Sequence, residues 1–137
     1  MALQLSDVVR NARLDAIETA VGVSAVLKIY DLTAGAPANC AAAITGTVLA
    51  TLSLPSDWMT AAASGSKAKT GTWQDASADA AGTADFFRLF ASDGTTCHLQ
   101  GTVTATGGGG DLTLDNAVIA SGQSVTITGF TLTDANA

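Results

Sequence analysis

The sequence predicts a mainly β fold, an antiparallel β-sandwich or jelly-roll-like barrel with one N-terminal α-helix. Three observations predict it. Apolar residues recur at helical spacing over about residues 6–21, and the period then changes to two over about residues 24–134. Turn residues also interrupt this second region at short intervals, which is typical of antiparallel sheets. The 137 residues fit a single domain, 1–137.

The helix has a start signal, an end signal and an apolar stripe. Ser6 is suited to cap its first turn, and Gly22 is suited to end it. The stripe comprises Val9, Ala12, Ala16, Ile17, Ala20 and Val21. We expect it to pack on the protein's own sheet, with docking on another subunit as the alternative.

Four segments carry the β pattern most clearly. SAVLKIYD (24–31) and TVLATLSL (47–54) alternate, although Leu49 breaks the alternation in the second. DFFRLFAS (85–92) is apolar on both faces except for one arginine, so we expect a central strand covered by the core and by a partner or the helix. It should form a hairpin with TTCHLQGTVTAT (95–106).

The last predicted strand contains a change of parity. In SVTITGFTLT the apolar residues change parity at Gly129, and a one-residue β-bulge there would return them to one face.

Two other segments show no β pattern and are rich in Ala, Gly and Ser. They are residues 34–43 (AGAPANCAAA) and residues 61–84. We predict that both are exposed loops.

Composition and charge exclude several classes of function. The formal net charge is −6, so the attraction that dominates nucleic-acid binding is missing, and we expect no direct nucleic-acid partner. No basic stretch followed by a long apolar run opens the chain, so we expect neither a signal peptide nor a membrane span, and synthesis in the host cytoplasm. Only 13% of residues are charged, a composition more usual inside an assembly.

No motif predicts catalysis, a cofactor or a metal. In TATGGGGDLTL (104–114), Asp111 follows the glycines where a phosphate loop needs a base, so a connection between strands is the better interpretation. His98 and Cys97 are adjacent on a strand and should point to opposite faces. The carboxylates are scattered, mostly over turns and loops, with no recognisable acid–base pair. We therefore expect a protein that is not an enzyme.

Two pairs of residues leave alternatives open. Cys40 and Cys97 are the only cysteines, and they form either a disulfide or two buried thiols, with Cys97 on a core-facing position. Trp58 and Trp73 are either core residues or, if exposed, anchors of an interface.

The order of segments resembles a family of small virion structural proteins of tailed bacteriophages. The segments that carry the resemblance are RNARLDAIETAVG, LKIYD, TGTVLATLSLPSDW, GTADFFRLFASDGTTCHLQGTV and DLTLDNAVIASGQSVTITGFTLT. The resemblance covers most of the chain. It implies a capsid decoration or cement protein on the virion surface, which binds the major capsid protein and copies of itself as a homodimer or homotrimer.

The alternatives are a neck, tail or fibre-base component of the virion and, further away, a carbohydrate-binding β-sandwich module. The latter would present exposed aromatic side chains, for which only Tyr30, Trp58 and Trp73 are available. For a virion protein, we expect contacts to neighbouring subunits from the segment through Arg13 and from the loop around residues 64–73. The candidate contact residues are Arg10, Arg13, Lys67, Lys69 and Trp73.

Overall fold

The computed structural model describes residues 1–136 and shows a mainly β protein with one helix and a sandwich-like arrangement, which confirms the predicted fold class. The helix, α1, is Asp7–Val21. The strands are β1 Val26–Leu32, β2 Gly46–Ser53, β3 Ser66–Ala68, β4 Gln74–Asp75, β5 Gly82–Thr83, β6 Phe86–Phe90, β7 Cys97–Ala105, β8 Leu112–Leu114, β9 Val118–Ile119 and β10 Val125–Thr133.

Both predicted ends of α1 are confirmed. The Ser6 hydroxyl accepts a hydrogen bond from the main-chain N–H of Val9, as an N-cap does. Gly22 follows the last turn with a φ of 87°, and its N–H donates to the carbonyl of Glu18. Glycine adopts this left-handed conformation without the clash that a Cβ would introduce.

The main sheet is mixed rather than purely antiparallel. Eight strands form it in the order β2-β1-β6-β7-β8-β10-β3, with β4 also pairing with β10, while β5 and β9 form a separate two-stranded sheet. The expected hairpin of β6 and β7 is present. However, β8 runs parallel to β7, with Val103 opposite Leu112. The glycine run therefore connects two parallel strands instead of closing a hairpin.

The bulge expected at Gly129 is present. The register between β8 and β10 shifts from Ile127 opposite Leu114 to Gly129 opposite Thr113. As a result, Ile127 and Phe130 are both buried although their positions differ in parity.

A second bulge explains why Leu49 broke the alternation of β2. Ile29 pairs with Ala50 and Tyr30 pairs with Val48, so Leu49 is the extra residue between them. Leu49 is fully buried. The break in the pattern was therefore the sequence mark of the bulge.

The core contains a continuous row of aromatic rings. Trp58 lies 6.0 Å from Trp73, Trp73 lies 5.4 Å from Phe130, and Phe130 lies 5.8 Å from Phe87 between ring centroids. Both indole N–H groups donate to main-chain carbonyls, of Gly22 and of Thr70. The two tryptophans are therefore core residues with satisfied polar atoms.

The second face of the central strand is covered by the β1–β2 connection, not by a partner or by the helix. All five residues of β6 are buried. Arg88 of β6 donates to the carbonyls of Asn39 (3.0 Å) and Ala42 (2.8 Å), and Gln100 donates to the carbonyl of Pro37 (2.8 Å). Residues 34–43 form the exposed loop that was predicted, since none of them is buried and none lies in a helix or strand, and these hydrogen bonds hold the loop on the sheet.

The segment 61–84, by contrast, is not the exposed loop that was predicted. It contributes β3, β4 and β5 to the two sheets. Its Trp73 is fully buried, and its Lys67 is buried as well. The sequence did not reveal these short strands, because strands of two or three residues leave almost no periodicity.

Candidate functional site

α1 is attached to the sheet through polar side chains. Three of them accept hydrogen bonds from main-chain N–H groups of residues 59–65: Asn11 from Gly65 (2.9 Å), Asp15 from Ala62 (3.1 Å) and Glu18 from Met59 (3.3 Å). Only Leu14 and Val21 of the helix are fully buried. The helix therefore rests on the protein largely by hydrogen bonds to a neighbouring main chain.

A buried ammonium group completes this attachment. The Nζ of Lys67 lies 2.7 Å from a carboxylate oxygen of Asp15, 2.7 Å from one of Glu18 and 2.8 Å from the carbonyl oxygen of Thr60. Burial alone would lower the pKa of Lys67, but the hydrogen bonds to the two carboxylates outweigh it and raise this pKa. The same hydrogen bond from Lys67, together with the Ala62 N–H, lowers the pKa of Asp15.

The apolar stripe of α1 consequently faces away from the sheet, so the expected packing on the protein's own sheet is wrong for most of it. We call the exposed residues Val8, Val9, Ala12, Ala16 and Ala20 the outward face of α1. Val8 is 79% exposed and Val9 is 44% exposed. Of the predicted stripe only Val21 is buried, and Ile17 is partly so.

Arg10 and Arg13 link the helix to the end of β10. Arg10 donates to the carbonyl of Asp134 (2.5 Å) and forms an ion pair with Asp7 (2.9 Å). Arg13 forms an ion pair with the Asp134 carboxylate (3.2 Å), and its side chain is 61% exposed. Arg13 thus lies beside the outward face of α1 with most of its side chain exposed, whereas Arg10 is used within the chain.

The other predicted contact residues are Lys67, Lys69 and Trp73, and each of them is buried or packs against the protein's own residues. Lys67 and Trp73 are buried, which leaves neither side chain a surface to offer to a neighbour. Lys69 lies over the ring of Trp73, with Nζ 5.6 Å from the centroid, and donates to the carbonyl of Gly71. Of the five predicted residues, Arg13 has the most exposed side chain that the structure records.

The two cysteines are free, half-buried and adjacent to one another. A register shift next to Phe90 places Cys97 beside Cys40 and Arg88, on the face that residues 34–43 cover, instead of on the core face that its parity predicted. Burial first, and then the neighbouring Cys40 thiol, raise the pKa of Cys97 to about 12. The side chain of Cys97 is therefore a thiol, rather than a reactive thiolate, at neutral pH.

The residues around the glycine run serve the fold locally. The Asp111 carboxylate accepts hydrogen bonds from the main-chain N–H of Thr102 (2.9 Å) and from its hydroxyl (2.8 Å), and these bonds lower the pKa of Asp111. Within residues 1–136 no group of three or more His, Cys, Asp or Glu side chains is arranged to hold a metal ion. In the same part of the chain, no helix combines the length and apolar character needed to span a membrane.

Comparison with known proteins gives no identity, since no family model, curated protein or solved structure matches the chain. The candidate site is therefore defined by the structure alone. It is the outward face of α1 with Arg13 beside it. The sequence did contain its signal, the stripe of α1, but gave no means of deciding which side of the helix meets the sheet.

Proposed function

We propose that the chain is a non-enzymatic structural protein of a bacteriophage virion, a decoration protein that binds the outside of the major capsid protein shell beside copies of itself. The outward face of α1 is the observation that carries this proposal. The polar side of this helix contacts the protein's own fold, and its aliphatic side is exposed to solvent. Such an exposed aliphatic side is an apolar surface to which another protein can bind.

The size of the outward face fits a contact that is weak by itself. A helix of 15 residues is about 22 Å long and about 10 Å wide, so one face offers on the order of 200 Å². Stable protein pairs bury about 800 Å² on each partner. Such a helix attaches firmly only where further contacts are added, and a repeating shell that presents many sites to neighbouring copies supplies them.

The distribution of the aromatic residues argues against the carbohydrate-binding alternative. All seven aromatic side chains of the chain are buried, including Tyr30, Trp58 and Trp73. No aromatic surface is left on which a sugar ring would stack. A neck, tail or fibre-base role would use the same outward face, and the number of copies per particle separates it from decoration.

The experiment compares two valine substitutions that add the same charge. Particles of the encoding phage assembled without the chain are incubated with the parent protein, with Val8→Asp or with Val118→Asp, and bound protein is measured by sedimentation. Val8 lies on the outward face of α1, whereas Val118 is 63% exposed on β9. We expect the parent and Val118→Asp to bind in many copies and raise the heat resistance of the particles.

We expect Val8→Asp to bind at least tenfold more weakly, because an unpaired carboxylate would enter an apolar contact. An aspartate in the first helical turn suits the helix dipole, so folding should be preserved. Absence of parent binding would refute the decoration function. Equal binding of the two variants would refute the outward face of α1 as the attachment surface.

A further inference from the structure

The main sheet contains an open slot between β7 and β10. The three residues of β8 fill the space between these two strands only at Leu112–Leu114. Beyond Asp111, a cleft of about 400 Å³ lies between Leu99 and Gln100 on one side and Phe130 to Thr133 on the other. Because β8 bonds to both neighbours, the slot is one strand wide where it begins.

The main chain of β7 turns hydrogen-bonding groups into the slot. In the β6–β7 pair, the N–H of Val103 donates to the carbonyl of Asp85, so every second residue counted from Val103 bonds to β6. Gln100 and Thr102 have the opposite parity, and their N–H and C=O groups therefore point away from β6. The Thr102 N–H already donates to the Asp111 carboxylate, which takes the place of an acceptor on an adjacent strand.

The main chain of β10 does the same from the other side. Lys69 donates to the carbonyl of Phe130, and Asp134 donates to the carbonyl of Gly65, which fixes the parity of the residues that bond to β3. Thr131 and Thr133 have the opposite parity and point into the slot. Within residues 1–136, Gln100 pairs only with Arg88 and Thr133 only with Ser66, so no strand bonds to either on this side.

The floor of the slot is apolar. Phe87 and Phe130 belong to the core, and Leu99 and Leu132 pack against it while staying partly exposed. An occupant therefore needs an extended main chain with apolar side chains at the alternate positions that face inward. A short β-strand meets both requirements, because its main chain can bond to the groups of β7 and β10 and its alternate side chains can face the apolar floor.

One segment of this chain has that pattern and is exposed except at its last residue, which is partly buried. Residues 1–5, which we call the N-terminal arm, read MALQL, with Met1, Leu3 and Leu5 on one parity and no charged side chain. Met1 and Leu3 are the two most exposed large apolar residues of the described chain, with Leu3 at 82%. The arm is tied at its inner end, because the main chain of Leu5 exchanges two hydrogen bonds with the Asn136 side chain.

We propose that the N-terminal arm of a second copy of this chain inserts into the slot as an added strand between β7 and β10. Its own arm lies outside its own slot, so each chain offers one strand and one vacancy of matching pattern. Reciprocal exchange between two copies fills both vacancies and closes as a symmetric dimer. The proposal rests on the slot and the arm and does not need a viral particle.

The test measures the mass of the purified protein by sedimentation velocity over a range of concentrations, against 13.6 kDa for one chain. We expect a dimer at high concentration. Leu3→Asp should weaken it at least tenfold, because a carboxylate would face the apolar floor, while Val118→Asp adds the same charge elsewhere and should leave it unchanged. Neither residue is buried, so both variants should fold.

A second pair of variants tests the slot itself. Thr133→Pro removes an N–H that points into the slot and is not used by β3, whereas Thr133→Val keeps it. We expect Thr133→Pro to weaken the dimer at least tenfold and Thr133→Val to have less than a threefold effect. A parent protein that remains one chain at all concentrations overturns the proposal, as does a dimer indifferent to both Leu3→Asp and Thr133→Pro. An arm that protects the slot amides of its own monomer from hydrogen exchange also overturns it.

Discussion

Replacing Lys67 by methionine tests whether the buried ammonium group holds α1 on the sheet. The side chain is 2% exposed, and its Nζ makes hydrogen bonds of 2.7, 2.7 and 2.8 Å to Asp15, Glu18 and Thr60. Methionine keeps the apolar stem of the lysine and removes the charge and the three donors. The change therefore isolates the polar attachment from the packing.

The expected cost follows from these contacts. Removing one partner of a buried ion pair costs about 3–5 kcal/mol when the other charge stays buried. Here the Glu18 side chain is 22% exposed and the Asp15 side chain is 48% exposed, so water restores part of the lost solvation. We therefore expect Lys67→Met to lower the free energy of unfolding by about 2–3 kcal/mol, at or below the lower end of the range for a fully buried pair.

Urea unfolding followed by circular dichroism measures this change at neutral pH. At roughly 4 °C per kcal/mol, the thermal midpoint should fall by about 8–12 °C. Lys69→Met is the matched control, because the partly exposed Lys69 makes one hydrogen bond and one contact with the ring of Trp73, and its loss should cost about 1 kcal/mol. The amides of Ala62 and Gly65 should exchange faster only in Lys67→Met. Equal stability of the two variants would refute the polar attachment of α1.

Two further predictions concern pH and oxidation. The pKa of Asp15 is lowered in the folded protein, so the stability it contributes is present above the ordinary pKa and is lost as pH falls through the lowered value. The fall in thermal midpoint from pH 7 to pH 3 should thus be smaller in Lys67→Met. With excess oxidised glutathione, Cys40 and Cys97 should form a disulfide and release two reduced glutathione molecules. The reaction should be faster at pH 9 than at pH 7, because the attacking group is a thiolate and the raised pKa of Cys97 keeps its thiolate scarce at pH 7. Mass spectrometry detects the loss of two hydrogens, and unchanged thiols after a day at pH 9 would contradict the adjacency of the sulfurs.

The strand positions could be read from the sequence because burial dictates parity. A strand that changes parity without an interruption needs an extra residue, and the structure has one at both places where parity failed: Leu49, and Thr128 next to Gly129. The burial of β6 on both faces could also be predicted from the sequence, since only Arg88 interrupts its apolar run. The segment that covers the second face could not be predicted, because the hydrogen bonds of Arg88 to that segment end on main-chain carbonyls, which every residue has.

The orientation of α1 could not be predicted for a related reason. Half of its stripe is alanine, and burying an alanine removes little apolar surface from water, so hydrophobicity decides only weakly between the two sides of the helix. Asp15 and Glu18 decide it instead, by accepting hydrogen bonds from Lys67 and from N–H groups far along the chain. Such partners are set by the tertiary fold and leave no periodic trace.

The chain buries all of its Phe, Tyr and Trp side chains and two charged side chains, but it leaves several aliphatic side chains exposed to solvent. Lys67 and Arg88 are inside, whereas Met1, Leu3 and Val8 are outside. Exposed aliphatic residues that meet only water should tolerate polar substitution, and the protein should become more soluble without losing function. If they meet partners, the same substitutions should raise solubility and remove assembly together. Val8→Asp tests whether a partner covers the proposed shell contact, and Leu3→Asp tests whether one covers the proposed contact between copies.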